Sequence, residues 1–69
     1  MKLKELRLRA RLSAEALARL AKVSGHTVKR AEQGLPVQDV KAVAIVEALG
    51  QALGEDLKIE DIEDLKIYS

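Results

Sequence analysis

The sequence predicts a single small all-α domain of four or five short helices. Three observations lead to this prediction. Leu, Ala, Val and Ile recur at spacings of three and four residues along most of the 69-residue chain, as they do on the buried face of a helix. Ser13 and Ser24 each precede such a segment, where a hydroxyl group can accept a hydrogen bond from an early helix amide. Gly34 and Gly54 each follow one, as helix-terminating glycines do.

The length and composition restrict how this domain is stabilised. A chain of this size buries only about 60 % of its unfolded surface, so we expect a small stability margin. There is no cysteine, which excludes disulfides and thiolate metal sites, and the single His26 cannot form an imidazole-rich metal site. We therefore expect no metal and no cofactor. Stability must come from helix packing, from self-association, or from both.

The first and fourth helices are predicted from apolar periodicity. Residues 2–11 place Leu3, Leu6 and Ala10 on one face with basic residues between them. Residues 38–53 carry an apolar surface that is wider than one stripe, formed by Val40, Val43, Ala44, Val46, Leu49, Ala52 and Leu53. This width has two interpretations: a central helix buried in a small core, or a helix that a second copy of the chain covers on its other side.

The second and third helices form a closely spaced pair. The second is predicted over residues 14–21 after the cap Ser13, and the third over residues 25 to 32 or 33 after the cap Ser24. Apolar residues flank each cap at the spacing of a hydrophobic staple, Leu12 with Leu17 and Val23 with Val28. A connection this short forces a steep angle between two helices, which is the helix-turn-helix arrangement.

The C-terminal segment, residues 55–69, carries two patterns that favour different structures. The tetrapeptide Asp-Leu-Lys-Ile occurs at residues 56–59 and again at residues 64–67, and its alternation favours strands. The spacing of Ile62 and Leu65 favours a helix instead. We predict a short fifth helix around residues 60–65.

Charge is distributed unevenly along the chain. Residues 1–30 hold nine basic and two acidic residues, a net charge of +7, whereas residues 31–69 hold three basic and nine acidic residues, a net charge of −6. A molecule of this kind can present its positive region to a polyanion. The alternative is an unevenly charged but merely solvated surface. The whole-chain pI of about 8.1 is lower than is usual for nucleic-acid-binding domains.

A helix-turn-helix that binds DNA places its second helix in the major groove. The residues expected on the outward side of the third helix are Gly25, His26, Thr27, Lys29 and Arg30. Arg30 can contact a guanine with two hydrogen bonds, Lys29 a phosphate, and His26 or Thr27 a base edge. Ser24 and the first amides of this helix can hold a phosphate. Each of these residues also has a simpler interpretation, as a solvated helix charge or as a helix cap.

Three segments of the chain resemble the helix-turn-helix of the Cro and lambda-repressor family. They are Leu12-Ser13-Ala14-Glu15, Leu20-Ala21-Lys22-Val23-Ser24 and the run from Thr27 to Gly34, and the similarity covers about residues 3–54. The resemblance implies a compact bundle of five helices, sequence-specific DNA binding and dimerisation. It also implies a domain boundary near residue 54, with residues 55–69 as an acidic extension that can take part in dimerisation.

The same resemblance implies roles for particular residues. Gly25, His26 and Arg30 match the main base-reading positions, while Gln33 and the start of the second helix at Ser13 match phosphate-contacting ones. Arg7 and Glu32 match a pair that forms an internal salt bridge. The chain departs from the family pattern in four places. Ala14 replaces a phosphate-contacting glutamine, and Lys22 replaces the usual glycine of the turn. Gly25 leaves a reading position without a side chain, and the loop at residues 35–37 carries no basic residue.

The sequence therefore predicts a regulator of transcription that binds a specific sequence of double-stranded DNA, of the repressor type and acting as a homodimer. The alternative is an adaptor or antitoxin-like module that binds a protein partner through its acidic half. An enzyme is not expected, since there is no nucleophile–base pair, metal-ligand cluster or glycine-rich phosphate loop. No apolar stretch reaches the roughly 18 residues of a membrane span and no signal peptide is recognised at the start, so we expect a cytoplasmic location and no membrane partner.

Overall fold

The computed structural model describes residues 1–68 and confirms the all-α fold. Its elements are the four helices α1 (Leu3–Arg9), α2 (Ala14–Ala21), α3 (Gly25–Glu32) and α4 (Asp39–Leu53), followed by one 3-10 turn at Ile59–Asp61. Helices α2 and α3 have the predicted boundaries. Helix α1 is shorter than predicted because Arg11 adopts a left-handed backbone with φ of 58°, and the Leu12 N–H then closes back on the Arg7 carbonyl at 3.2 Å.

Helix α4 lies at the centre of the core. It packs against α1, α2 and the 3-10 turn, which explains why its apolar surface is wider than one stripe. The core contains apolar residues from every helix, among them Leu3, Leu6, Leu17, Ala18, Val28, Ala31, Ala42, Ile45 and Leu49. Two large apolar side chains of α4 remain in solvent, Val40 at 79 % and Val43 at 38 % exposure.

The predicted fifth helix around residues 60–65 is wrong. A single 3-10 turn at Ile59–Asp61 takes its place, a further turn follows at residues 63–64, and Ile67 then pairs with Val37 in a parallel bridge. Four carboxylates fall within residues 60–64 at spacings of three and four, where a helix would bring like charges together. This path still buries Ile62 and Leu65 in the core.

The C-terminal segment also forms hydrogen bonds with the first residues of the chain. An Asp64 carboxylate oxygen accepts a hydrogen bond from the Leu3 N–H at 2.9 Å, and the Glu63 N–H donates to the Met1 carbonyl at 3.0 Å. Asp64 therefore supplies, from 61 residues away, the N-terminal cap that the Lys2 side chain does not supply to α1. Residues 55–68 are packed onto the helical body, while Ser69, the last residue of the predicted extension, lies outside the described residues.

Helices α1 and α3 are joined by an ion pair with little access to solvent. The Arg7 guanidinium donates to both carboxylate oxygens of Glu32, with Nη2 at 3.2 Å from Oε1, and its Nη1 donates to the Leu12 carbonyl at 2.9 Å. The two side chains are only 12 % and 13 % exposed. This confirms the salt bridge that the family resemblance implies.

Gly50 allows a close backbone contact at the end of α4. A Cβ atom at this position would lie 2.8 Å from the backbone oxygen of Glu55. The chain turns back here because Gly54 takes a left-handed backbone and the Glu55 N–H donates to the Gly50 carbonyl at 2.9 Å. A side chain at Gly50 would therefore push against backbone, which cannot rotate away.

We expect Gly50→Ala to lower the free energy of unfolding by about 1–3 kcal/mol, as overpacking does in other cores. The measurement is urea denaturation followed by circular dichroism. The matched control is Gly25→Ala, because a Cβ atom there meets nothing within 4 Å. The control should leave stability unchanged or raise it by up to about 1 kcal/mol. Equal midpoints for the two variants would contradict the proposed clash.

Candidate nucleic-acid interface

Both predicted serine caps are present. The Ser13 hydroxyl accepts a hydrogen bond from the Ala16 N–H at 3.0 Å, and the Ser24 hydroxyl accepts one from the Thr27 N–H at 3.1 Å. Each cap fixes the first turn of its helix and satisfies one of the amides that a helix start leaves without a backbone partner. The beginnings of α2 and α3 are therefore well defined in direction.

The turn between α2 and α3 depends on a left-handed residue. Lys22 has φ of 59° and ψ of 41°, and the following Val23 N–H donates to the Ala18 carbonyl at 2.9 Å. Lys22 occupies the place where the Cro and lambda-repressor resemblance implies glycine, and a side chain in this conformation costs about 1 kcal/mol or more. The strained residue, Lys22, thus lies in the turn that sets the angle between α2 and α3.

Helix α3 has an inner and an outer face. Val28 and Ala31 are fully buried, while His26, Lys29 and Gln33 are exposed and Gly25 is partly exposed. The expectation that Thr27 faces outward is wrong, because its side chain is only 8 % exposed. Its hydroxyl lies 2.9 Å from the Ser24 hydroxyl, so Thr27 supports the cap of α3 from within.

Arg30 is partly buried beside the C-terminal segment. Its Nη2 atom lies 3.4 Å from the Pro36 carbonyl and 3.4 Å from the Tyr68 hydroxyl. Sequence reasoning assigned no role to Tyr68. Tyr68 lies 38 positions from Arg30 in the sequence, so no local pattern indicates that the two side chains are in contact. The pairing of the C-terminal segment with Val37 brings them together.

An open groove of about 370 Å³ lies along the start of α3. Polar and charged side chains that line it include Ser24, His26, Arg30, Gln38, Lys41 and Tyr68. Arg30 and Lys41 give the groove cationic groups from two different helices, which suits an anionic ligand such as a phosphate. Lys41 lies in the acidic half of the sequence, so the distribution of charge along the chain does not indicate that it belongs to a cationic groove.

Two further features of the described residues concern metal ligands and membrane-spanning helices. Within residues 1–68 no group of three or more His, Cys, Asp or Glu residues is placed to hold a metal ion. None of the helices described there has the length and apolar character to cross a membrane.

Comparison with protein families decides the assignment of the fold. A model of the family described as "Helix-turn-helix domain" matches residues 1–62. The chain belongs to this helix-turn-helix family. The match extends past α4 through the 3-10 turn, is consistent with the Cro and lambda-repressor resemblance, and indicates a DNA-binding regulator. Comparisons with curated proteins and with solved structures gave no match.

One ion pair crosses between the two helices of the helix-turn-helix. The Lys29 ammonium lies 3.5 Å from a Glu15 carboxylate oxygen, and both side chains are exposed. A backbone hydrogen bond at the start of α2, followed by the charge of Lys29, lowers the pKa of Glu15 below its ordinary value. Lys29 therefore already has a carboxylate partner in the free protein.

We expect Lys29→Met to raise the pKa of Glu15 only part of the way to its ordinary value, because the backbone hydrogen bond remains. The measurement is an NMR pH titration of the Glu15 side-chain carboxyl carbon. Since the folded pKa is lowered, the stabilisation is present above the unfolded pKa and is lost as pH falls through the folded pKa.

The control for this titration is Lys58→Met, which removes an equal charge outside the helix-turn-helix. It should leave the Glu15 titration unchanged. A Glu15 pKa that is identical in the wild type and in Lys29→Met would show that the ion pair does not form in solution.

Proposed function

We propose that this domain is a transcriptional regulator, of the repressor type, that binds a specific sequence of double-stranded DNA with α3 in the major groove. The observation that carries the proposal is the capped α2–turn–α3 unit with an exposed polar face on α3. Helix-turn-helix domains present such a face to base edges while the preceding helix crosses the DNA backbone.

The proposed contacts divide between bases and phosphates. Arg30 and His26 reach base edges, and Arg30 is suited to the two acceptors of a guanine. Gly25, which has no side chain, lets the α3 backbone approach the bases closely. The residues proposed to contact phosphates are Ser13, Ser24, Lys29 and Gln33. Thr27 contributes to this surface indirectly, through its contact with Ser24.

The distribution of charge supports the same orientation. The basic first half of the chain supplies most of the surface that faces the DNA, and most of the carboxylates belong to the other half. Lys29 reaches a phosphate by exchanging its Glu15 carboxylate for a phosphate oxygen, so Glu15 weakens rather than supports non-specific binding. We place the regulator in the cytoplasm and assign it no enzymatic activity.

We expect Arg30→Ala to weaken binding to the preferred duplex by about 1–3 kcal/mol and to relax the preference at one base position. The preferred site is first obtained by selection from a random duplex pool. Affinity is then measured by fluorescence anisotropy at several salt concentrations. Binding by the wild type should weaken steeply as salt rises, because phosphate contacts release counterions.

The matched control is Lys58→Ala, which removes one positive charge outside the helix-turn-helix. It should leave base preference unchanged. If Arg30→Ala has the same affinity and the same base preference as the wild type, α3 is not the reading helix.

We also propose a homodimer. Val40, Val43 and Leu35 are exposed near the start of α4, as large apolar residues that a second copy can cover. Sedimentation velocity in the micromolar range should show a dimer, and Val40→Asp should convert it to a monomer without loss of helicity. The dimer should bind a palindromic site whose half-sites lie about 34–36 Å apart. A wild-type chain that sediments as a monomer with and without DNA would refute the dimer.

A second candidate function is an adaptor that binds a protein through its acidic half. The observation in its favour is the exposure of Glu60 and Asp61 at the 3-10 turn. The anisotropy experiment separates the two functions. An absence of duplex binding even near about 50 mM salt would favour the adaptor, since non-specific DNA binding is strongest at low salt.

A further inference from the structure

We propose that Tyr68 positions Arg30 for base reading, which makes the C-terminal strap, residues 65–68, part of the DNA-reading apparatus. This inference rests on the proposed function and deepens it. It assigns a specificity-determining role to a residue outside the helix-turn-helix.

The strap is held firmly where it passes the loop between α3 and α4. Leu65 anchors it in the core, and two backbone hydrogen bonds fix it to Val37. The Val37 N–H donates to the Lys66 carbonyl at 3.0 Å, and the Tyr68 N–H donates to the Val37 carbonyl at 3.1 Å. The Tyr68 ring is 58 % exposed, so the backbone and not the ring keeps the strap in place.

The guanidinium of Arg30 is held at one of its three nitrogens. Nη2 meets the Pro36 carbonyl and the Tyr68 hydroxyl at 3.4 Å each, on the side of the groove formed by the strap and the loop. Nε and Nη1 donate to no other residue within the described chain, so their protons are the ones available to a base or phosphate.

Arg30 differs from the paired cations of the same molecule in the charge of its partners. Arg7, Arg9 and Lys29 each face a carboxylate, from Glu32, Glu55 and Glu15 respectively. The partners of Arg30 are a carbonyl and a phenol, which are both neutral. The strap therefore restrains Arg30 without cancelling the positive charge that attracts DNA.

Restraint of this kind favours recognition because a free arginine side chain loses rotamer entropy when it is fixed. A guanidinium that is already oriented loses less on binding, and it meets a guanine in one direction rather than several. A neutral hydroxyl can achieve this, whereas a carboxylate in its place would compete with the DNA for the charge.

The test is Tyr68→Phe, which removes the hydroxyl and keeps the ring and the strap backbone. We expect discrimination at the base read by Arg30 to fall about three- to tenfold, with non-specific affinity and thermal stability unchanged. Arg30→Lys identifies the base position concerned, because lysine lacks the forked donor group. In the Arg30→Lys background, Tyr68→Phe should have no further effect. Lys66→Gln is the control on the strap: it changes an exposed side chain beside Tyr68 and should leave discrimination at this base unchanged.

A second measurement follows the contact without DNA. NMR of the Arg30 guanidinium in the free protein should show faster rotation about the Cζ–N bonds in Tyr68→Phe than in the wild type. Unchanged rotation together with unchanged discrimination would overturn the proposal. Tighter binding with unchanged discrimination would also overturn it, by showing that Tyr68 competes with the base.

The failure of this inference can be distinguished from failure of the proposed function. If the wild type binds no duplex at low salt, the proposed function fails and the role of Tyr68 in reading fails with it. If the wild type binds a preferred site and Arg30→Lys relaxes it but Tyr68→Phe does not, only the inference fails.

Discussion

The Arg7 guanidinium connects three parts of this small domain. It binds the Glu32 carboxylate at the end of α3 and the Leu12 carbonyl in the loop between α1 and α2, and it does so with little access to water. An unpaired charge in such a place is costly, so the three partners hold one another in position. The end of α3 is fixed here and its start is fixed by Ser24, which leaves the exposed face of the helix little freedom to rotate.

The parts of the fold that could be predicted from sequence are those that local chemistry determines. Helices α2 and α3 begin at serine caps with apolar residues at staple spacing, and both were predicted with the boundaries that the structure has. The family resemblance implies glycine where Lys22 stands, and Lys22 has the left-handed backbone that glycine adopts most easily. The pairing of Arg7 with Glu32 came from the family resemblance, because the sequence alone gives no reason to join residues 25 positions apart.

The parts that could not be predicted depend on contacts between distant residues. The spacing of Ile62 and Leu65 favours a helix, but the bridge between Val37 and Ile67 holds this segment on a different path. Thr27 was expected on the outer face from its place in α3, but its hydroxyl turns inward to Ser24. For the candidate site, the types of residue on α3 could be predicted from the sequence, whereas the surroundings of Arg30 could not.

The cap that Asp64 provides to α1 has a consequence for the order in which the structure can form. During synthesis the residues of α1 leave the ribosome early, and the carboxylate that binds the Leu3 amide follows 61 residues later. A seven-residue helix is not stable in isolation, and its partner Glu32 also arrives late. The first helix therefore cannot reach its final state until nearly the whole domain has been made. The segment that completes it also carries the side chain that contacts Arg30, so the first helix and the surroundings of Arg30 both depend on the same late segment of the chain.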